Sequence, residues 1–268
     1  MFQLLNKARR EMSSEGSFSR YLRYALGEIV LVVIGILIAL QIDNWNDRRI
    51  DSEKEREYLS SMLTDLRDDV REIDEAVSGN NILLAGIDDL LGMLAKPAPD
   101  SAYRREVLIS SVVRTYWHLR VDLPELTLTQ LKYSGDLQLI ENQNIKQAIL
   151  GYEQGIEVCR HQYVELTHYF HVFEATQKQL LNLALAKKAY EYIESDWLRI
   201  LGPLEPFEPL VQQGEYFVTD DPGLLALYYG DLLFYRTSLN NAVWFLGQQR
   251  QMAEQLMQLI SSEYGIEG

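Results

Sequence analysis

An unbroken run of twelve apolar or glycine residues, Ile29–Leu40, constrains this chain more than any other feature. It lies within the stretch 24–42, whose 19 residues would form a helix of roughly 28 Å. That length is close to the hydrocarbon thickness of a bilayer, about 30 Å. Because no polar face interrupts the run, such a helix has no side to offer to water. The sequence therefore predicts a transmembrane helix over residues 24–42.

Two alternatives compete with a membrane span. A buried core helix could also contain an apolar run of this length. A cleaved signal peptide would lie equally close to the N-terminus, but no A-x-A site follows the run, and Gln41-Ile42-Asp43 is a poor cleavage context. An uncleaved signal anchor fits the pattern better than either alternative.

Aromatic and basic residues flank the predicted span. Tyr21 and Tyr24 lie at one edge and Trp45 at the other, where an aromatic belt would meet the membrane interfaces. Five Lys or Arg residues precede the span and four follow it closely, at positions 48, 49, 54 and 56. By the positive-inside rule this margin favours a cytoplasmic N-terminus and a large C-terminal domain outside the cytoplasm, in a single-pass protein.

The segment before the span, residues 1–23, is expected to be cytoplasmic. Phe2, Leu5 and Met12 can share one side of a short helix, and Lys7 and neighbouring arginines supply positive charge. This pattern is typical of an amphipathic helix on an anionic membrane surface. The alternative is a frayed terminal tail.

One acidic residue lies inside the predicted span. At 100° per residue, Glu28, Val32, Gly35 and Ala39 fall within an arc of about 60° on one helix face. Gly35 and Ala39 form a small-xxx-small pattern, which permits close packing of membrane helices. The face therefore predicts a homo-oligomer contact with Glu28 at its head. The alternative is that Glu28 only marks the headgroup boundary.

The remaining chain, residues 43–268, is acidic and helical in pattern. The first 46 residues carry a net charge of +1, so the rest carries −15 of the total of −14, which argues against nucleic acid as a partner. Apolar residues recur at spacings of three and four from Leu59 to Val77, from Ile145 to Leu180 with a gap at Gln177, and from Leu225 to Ile260 with one spacing of seven after Leu246. The fold class is therefore all-α, with the transmembrane helix continuing into an antiparallel helical bundle with coiled-coil-like packing.

Local signals mark the ends of several helices. A helix over residues 102–119 would be capped by Asp100 or Ser101, which places His118 at its end. Gly135 would end a brief helix that begins at Thr127, and Asn142 or Gln143 would begin the next. Asp221 and Pro222 would start the last helix. Strands are hard to place anywhere in the sequence.

The strongest candidate for chemistry is the stretch CRHQYVELTHYFHVFE, residues 159–174. By composition its Cys159, three histidines and two glutamates resemble a metal-ligand set. The heptad register instead places His161, Glu165 and His168 away from the bundle core, so a solvated helix face is expected, with a surface metal at these three residues as the alternative. No metal, cofactor or catalytic group is predicted.

Two stretches resemble an uncharacterised family of bacterial single-span membrane proteins. They are YLRYALGEIVLVVIGILIALQIDNWN, residues 21–46, and LTLTQLKYSGDLQLIENQNIKQAILGYE, residues 126–153. The junction departs from the family pattern at Asp43, where an asparagine is more typical. The resemblance implies one span and a helical extracytoplasmic domain, and it implies no assigned activity.

These features predict a non-enzymatic, membrane-anchored extracytoplasmic module that acts in assembly, scaffolding or sensing. Its partners would be the lipid bilayer, an unidentified protein and further copies of the chain. The alternative is a homo-oligomeric channel or transport component, with Glu28 and Gln41 at a pore built from several copies of the single span.

Overall fold

The computed structural model of the protein describes residues 15–98 and 100–266, with side chains from residue 22 onward. The predicted amphipathic helix around Phe2, Leu5 and Met12 lies outside the described residues, as does the side chain of Tyr21. The chain divides into two units after Glu57. Helix α1, Glu15–Leu94, contributes residues to both units, so the predicted continuation of the apolar helix into the first bundle helix is confirmed.

In the first unit, α1 exposes every described side chain from residue 26 to residue 54. Large apolar side chains are exposed on all sides of the helix, for example Ile29, Leu31 and Leu37. None of these described side chains is buried, as a core helix would require. In the described part of the chain, α1 is the single helix that is long and apolar enough to cross a membrane.

The second unit contains five further α-helices among the described residues. They are α2 (Ser101–Arg114), α3 (Leu126–Ser134), α4 (Gln143–Leu180), α5 (Lys187–Ser195) and α6 (Pro222–Tyr264). Short 3-10 helices cover Asp136–Leu139, Leu183–Ala186, Trp197–Leu201 and Glu205–Leu210. The described residues form no strand, and Leu181 and Phe217 make one isolated antiparallel bridge. The all-α prediction is confirmed.

Three long helices carry the core. The Gln249 amide of α6 donates to the Tyr152 carbonyl of α4 at 3.0 Å, while Thr176 near the other end of α4 pairs with Asp231. These contacts make α6 antiparallel to α4. Asp88 and Asp74 of α1 contact Arg236 and Arg250 of α6 in the same reversed order. Helices α1 and α4 therefore run in the same direction, with α6 against both.

The predicted apolar stripes form the buried core. Most of their members are buried, including Leu59, Leu66 and Ile73 of α1 and Tyr228 and Tyr235 of α6. The gap at Gln177 is filled by a buried side chain that donates to the Thr115 hydroxyl at 3.2 Å and to the Ser111 carbonyl at 3.4 Å. A polar residue is accepted there because its amide is hydrogen-bonded.

The caps follow the sequence signals at four positions. Asp100, Asn142 and Asp221 each accept a hydrogen bond from a backbone N–H in the first turn of α2, α4 and α6. Gly135 ends α3 with a φ of 78°, a left-handed conformation that a residue without Cβ adopts without strain. The predicted end of α2 is wrong, because the helix stops at Arg114 and residues 115–119 leave the helical path.

Candidate functional site: apolar helix and aromatic cavity

The exposed half of α1 presents the face predicted from the sequence. Glu28, Val32, Gly35 and Ala39 are all exposed, and they lie within about 60° of one another on a regular helix. A Cβ built at Gly35 would meet no atom within 4 Å. The face is therefore open to a neighbouring helix.

The aromatic residues at the ends of this segment are also exposed. Tyr24 and Trp45 lie on α1, separated by roughly 32 Å along the helix axis. That separation matches the distance between two membrane interfaces. The backbone of Tyr21 continues the same helix at the N-terminal side.

In the second unit, the segment that joins α2 to α3, here called the connector (residues 115–125), is held against α1 by Asn80. The Asn80 amide nitrogen donates to the Leu119 carbonyl at 2.9 Å, and its amide oxygen accepts from the Leu119 N–H at 2.8 Å. The neighbouring Gly79 permits the approach, because a Cβ there would lie 2.4 Å from a methyl of Leu119. Two adjacent residues of α1 therefore position the non-helical connector.

His118 of the connector is buried, with 1% of its surface exposed, and its prediction as an ordinary helix-end residue is wrong. Its ring stacks on Trp117 at 5.3 Å and 3°, and its Nδ1 lies 3.4 Å from the Tyr235 hydroxyl. Phe170 meets it edge to face at 5.7 Å. Burial, and then the nearby His171, lower the pKa of His118 to about 4, so the imidazole is neutral at pH 7.

A cavity of about 740 Å³ opens beside the connector. Its wall combines aromatic rings with two carboxylates of α1. The lining residues are Glu72, Glu75, Ala76, Tyr116, Trp117, His118, Leu119, Arg120 and Trp197. Trp117 and Trp197 are 49% and 48% exposed, so each offers about half of its surface to the cavity or to solvent. A mixed aromatic and acidic wall can bind an organic ligand by both shape and charge.

A smaller cavity of about 170 Å³ has an apolar floor that includes Ile156 and Leu246. The buried Tyr163 hydroxyl lines this region and has no hydrogen-bond partner among the described residues. The Arg120 guanidinium lies over the Tyr163 ring, 5.1 Å from its centre. Burial raises the pKa of Cys159, another lining residue, to about 11, so its thiol is protonated at pH 7.

A second buried ionisable group lies on α1 at Asp69, which is 4% exposed. It accepts a hydrogen bond from the Tyr152 hydroxyl at 2.6 Å. Burial raises the pKa of Asp69 to about 6, the hydrogen bond from Tyr152 lowers it, and the charges of Asp65, Glu72 and Asp68 raise it further. This side chain is therefore poised to change charge near neutral pH.

The histidine-rich stretch on α4 lies on the solvated face that the register predicts. His161 and Glu165 are exposed, with His161 Nε2 3.8 Å from Glu165 Oε1, and His168 is also exposed. Across the described residues, no group of three or more His, Cys, Asp or Glu side chains is arranged to hold a metal ion.

Sequence reasoning missed the aromatic cavity and the buried Asp69. The sequence predicts Trp117 and His118 within a helix over residues 102–119, and it predicts no element for the segment with Trp197, within residues 181–201. A weak signal exists at Asn80, because it lies in a Ser-Gly-Asn-Asn stretch, residues 78–81, that carries no apolar or charged side chain.

Part of α1 is similar to other proteins. Residues 28–95 match a family of unknown function, DUF6090. The match covers the apolar segment and the packed half of α1, and residues 126–153 lie outside it. Comparisons with curated proteins and with solved structures return no match. The similarity supports the resemblance to an uncharacterised family and assigns no activity.

Proposed function

We propose that this protein is a membrane-anchored, non-enzymatic helical module, with residues 24–42 as its single transmembrane span. One observation carries the proposal: residues 29–40 are apolar or glycine around the whole helix, and their side chains are exposed in the described part of the chain. In water such a helix would expose a continuous apolar surface, whereas in lipid its backbone and side chains are both satisfied.

The orientation follows from the basic residues. With five Lys or Arg before the span and four shortly after it, the N-terminus is cytoplasmic and residues 43–268 are periplasmic, in a bacterial inner membrane. Reporter fusions test this topology. Alkaline phosphatase fused after residue 268 should be active, and a fluorescent protein that matures only in the cytoplasm should be dark. The opposite pair of signals contradicts the orientation.

The periplasmic domain acts by binding, as a scaffold, an assembly factor or a sensor, with a protein partner and without catalysis. Asp69, the carboxylic acid whose pKa burial raises to about 6, lies within the packed core and accepts a hydrogen bond from the Tyr152 hydroxyl. Affinity capture after crosslinking in intact cells should recover a protein that is lost when residues 58–268 are removed from the anchored chain. Recovery of the same proteins by the anchor alone would contradict a binding role of the domain.

The span also mediates self-association through Glu28, Val32, Gly35 and Ala39. Single cysteines at these positions, in a Cys159→Ser background, should crosslink in native membranes. Cysteines on the opposite face, at Val30, Ile34, Leu37 and Gln41, serve as the control and should not. Crosslinks that favour the control face, or none at all, would contradict this contact.

Gly35→Leu sharpens the same test, because it places a large side chain at the point of closest approach. Gly27→Leu is the matched control, since a Cβ at Gly27 also meets no atom within 4 Å and this residue lies 100° away from Glu28 on the helix. Mass measurement in detergent should show fewer oligomers for Gly35→Leu alone. A purely monomeric wild-type protein would exclude self-association and, with it, a pore built from several spans.

A further inference from the structure

The wall of the 740 Å³ cavity beside the connector combines several aromatic side chains with two carboxylates. Trp117 and Trp197 reach it from two segments that are distant in sequence, and Tyr116 adds a third ring. The volume lies within the range of small-molecule sites, about 300–1,000 Å³. Aromatic faces carry negative electrostatic potential, so a wall of this kind attracts cations.

The charged residues of the wall reinforce this preference. Glu72 and Glu75 lie three residues apart on α1 and both line the cavity. Among the described residues, neither carboxylate makes an ion pair with a Lys, Arg or His side chain. The one cationic lining residue, Arg120, has its guanidinium over the Tyr163 ring, 5.1 Å from the ring centre. Two negative charges therefore face the cavity against one positive charge.

His118 supports the wall without adding charge. Its ring stacks behind Trp117 with an interplanar angle of 3°, which fixes the indole in place. Because burial keeps the imidazole neutral at pH 7, this lining side chain does not repel a cation in the cavity.

From the rings and carboxylates together, we propose that the cavity binds a small organic cation, a quaternary ammonium or alkylammonium group. Trp117 and Trp197 contact the cation through their ring faces, and Glu72 and Glu75 supply the compensating charge. This site is independent of the membrane anchor and adds a ligand class to the binding domain.

The test uses choline as the probe and the full chain in a maltoside detergent. Saturation-transfer NMR follows the choline trimethylammonium signal at constant ionic strength. The matched neutral probe is 3,3-dimethyl-1-butanol, which has the shape of choline without its charge. Choline should bind about tenfold more tightly than the neutral probe. Equal binding of the two, or no saturable choline signal, would overturn the proposal.

Variants locate the site. Trp197→Ala should weaken choline binding about tenfold, and Glu72→Gln or Glu75→Gln by several-fold. Trp244→Ala is the matched control, because Trp244 is a similarly exposed tryptophan of α6 that does not line the cavity. Circular dichroism confirms that each variant remains folded. A Trp244→Ala variant as weak as Trp197→Ala would show that the signal arises elsewhere.

The quaternary ammonium could belong to a free solute or to a lipid headgroup. Repeating the titration in nanodiscs of phosphatidylglycerol, with and without phosphatidylcholine, separates these sources. Competition by phosphatidylcholine identifies a headgroup ligand, whereas unchanged choline affinity identifies a free solute.

Discussion

Both halves of α1 contain many apolar residues, but those of the first half are exposed and those of the second half are mostly buried. Between residues 26 and 54 every described side chain is exposed, although twelve consecutive residues are apolar or glycine. Between Leu59 and Leu94 the apolar side chains form one stripe, and most of that stripe is buried in two core clusters that also contain residues of α2, α3, α4, α6 and the connector. The difference shows that the pattern of apolar residues, more than their number, determines which solvent a helix requires.

The two halves also treat a carboxylate differently. Glu28 is exposed in the apolar half, whereas Asp69 is buried in the packed half and accepts a hydrogen bond from the Tyr152 hydroxyl. A buried carboxylate must be hydrogen-bonded or protonated, because removing its charge from water is costly. The packed half therefore links the stability of the bundle to pH.

The largest expected contrast comes from removing one leucine from each half. Leu66→Ala, at a residue 1% exposed, should lower the free energy of unfolding of the bundle by about 3 kcal/mol, because it leaves a cavity in the core. Leu37→Ala, at a residue 55% exposed, should change it by less than about 0.5 kcal/mol. Chemical denaturation followed by circular dichroism measures both. Equal losses would mean that the apolar half packs against the bundle.

Asp69→Asn tests the buried carboxylate. The folded-state pKa of about 6 lies above the ordinary value of 3.8, so the folded protein binds more protons than the unfolded chain in that interval. The contribution of Asp69 to stability is full below pH 3.8 and is lost as the pH rises through 6. The variant keeps an acceptor for the Tyr152 hydroxyl. Its free energy of unfolding at pH 7 should be higher than that of the wild type by on the order of 1–2 kcal/mol.

The measurement is the difference in unfolding free energy between Asp69→Asn and wild type from pH 4 to pH 7.5. It should grow with pH and level off above about 7. Asp51→Asn, at an exposed residue of α1 whose charge does not act on Asp69, is the control and should give no such slope. A pH-independent difference for Asp69→Asn would contradict the shifted pKa.

His118→Phe tests a pH dependence of stability that is opposite in sign to that of Asp69. The folded-state pKa of about 4 lies below the ordinary 6.5, so the unfolded chain binds more protons between these values. His118 therefore contributes stability above pH 6.5 that is lost as the pH falls toward 4. Between pH 7 and pH 4.5 the free energy of unfolding of the wild-type protein should fall by on the order of 2 kcal/mol more than that of the variant. Parallel pH profiles would contradict burial of a neutral imidazole, and His161→Phe, on the exposed face, is the control.

The smallest change in unfolding free energy is expected when an ion pair on the surface of the packed half is removed. Arg236 pairs with Asp88 through two contacts of 2.8 and 2.9 Å, and these lower the pKa of Asp88. Both side chains remain partly exposed, so Asp88→Asn should lower the unfolding free energy by less than about 1 kcal/mol at pH 7. The loss should shrink in 1 M NaCl, where the pair is screened. A larger loss that persists in salt would place this pair in a drier environment.

The sequence by itself determined the helical class, the apolar segment and the main caps. These features depend on local rules: the period of the stripes, the side chains of Asp100, Asn142 and Asp221 at helix starts, and the left-handed turn at Gly135. Because each rule acts over a few residues, it can be applied to a single sequence. The heptad register also placed the histidine-rich face of α4 correctly in solvent.

The path of the connector and the cavity beside it follow from tertiary contacts. The end of α2 at Arg114 depends on Asn80, 39 residues before Leu119, which satisfies both backbone groups of that residue. The burial of His118 depends on rings from α4 and α6, and the cavity depends on Trp197 from a short helix. These contacts join residues that are distant in sequence, and no local period or cap encodes such a meeting, because it results from how the long helices pack.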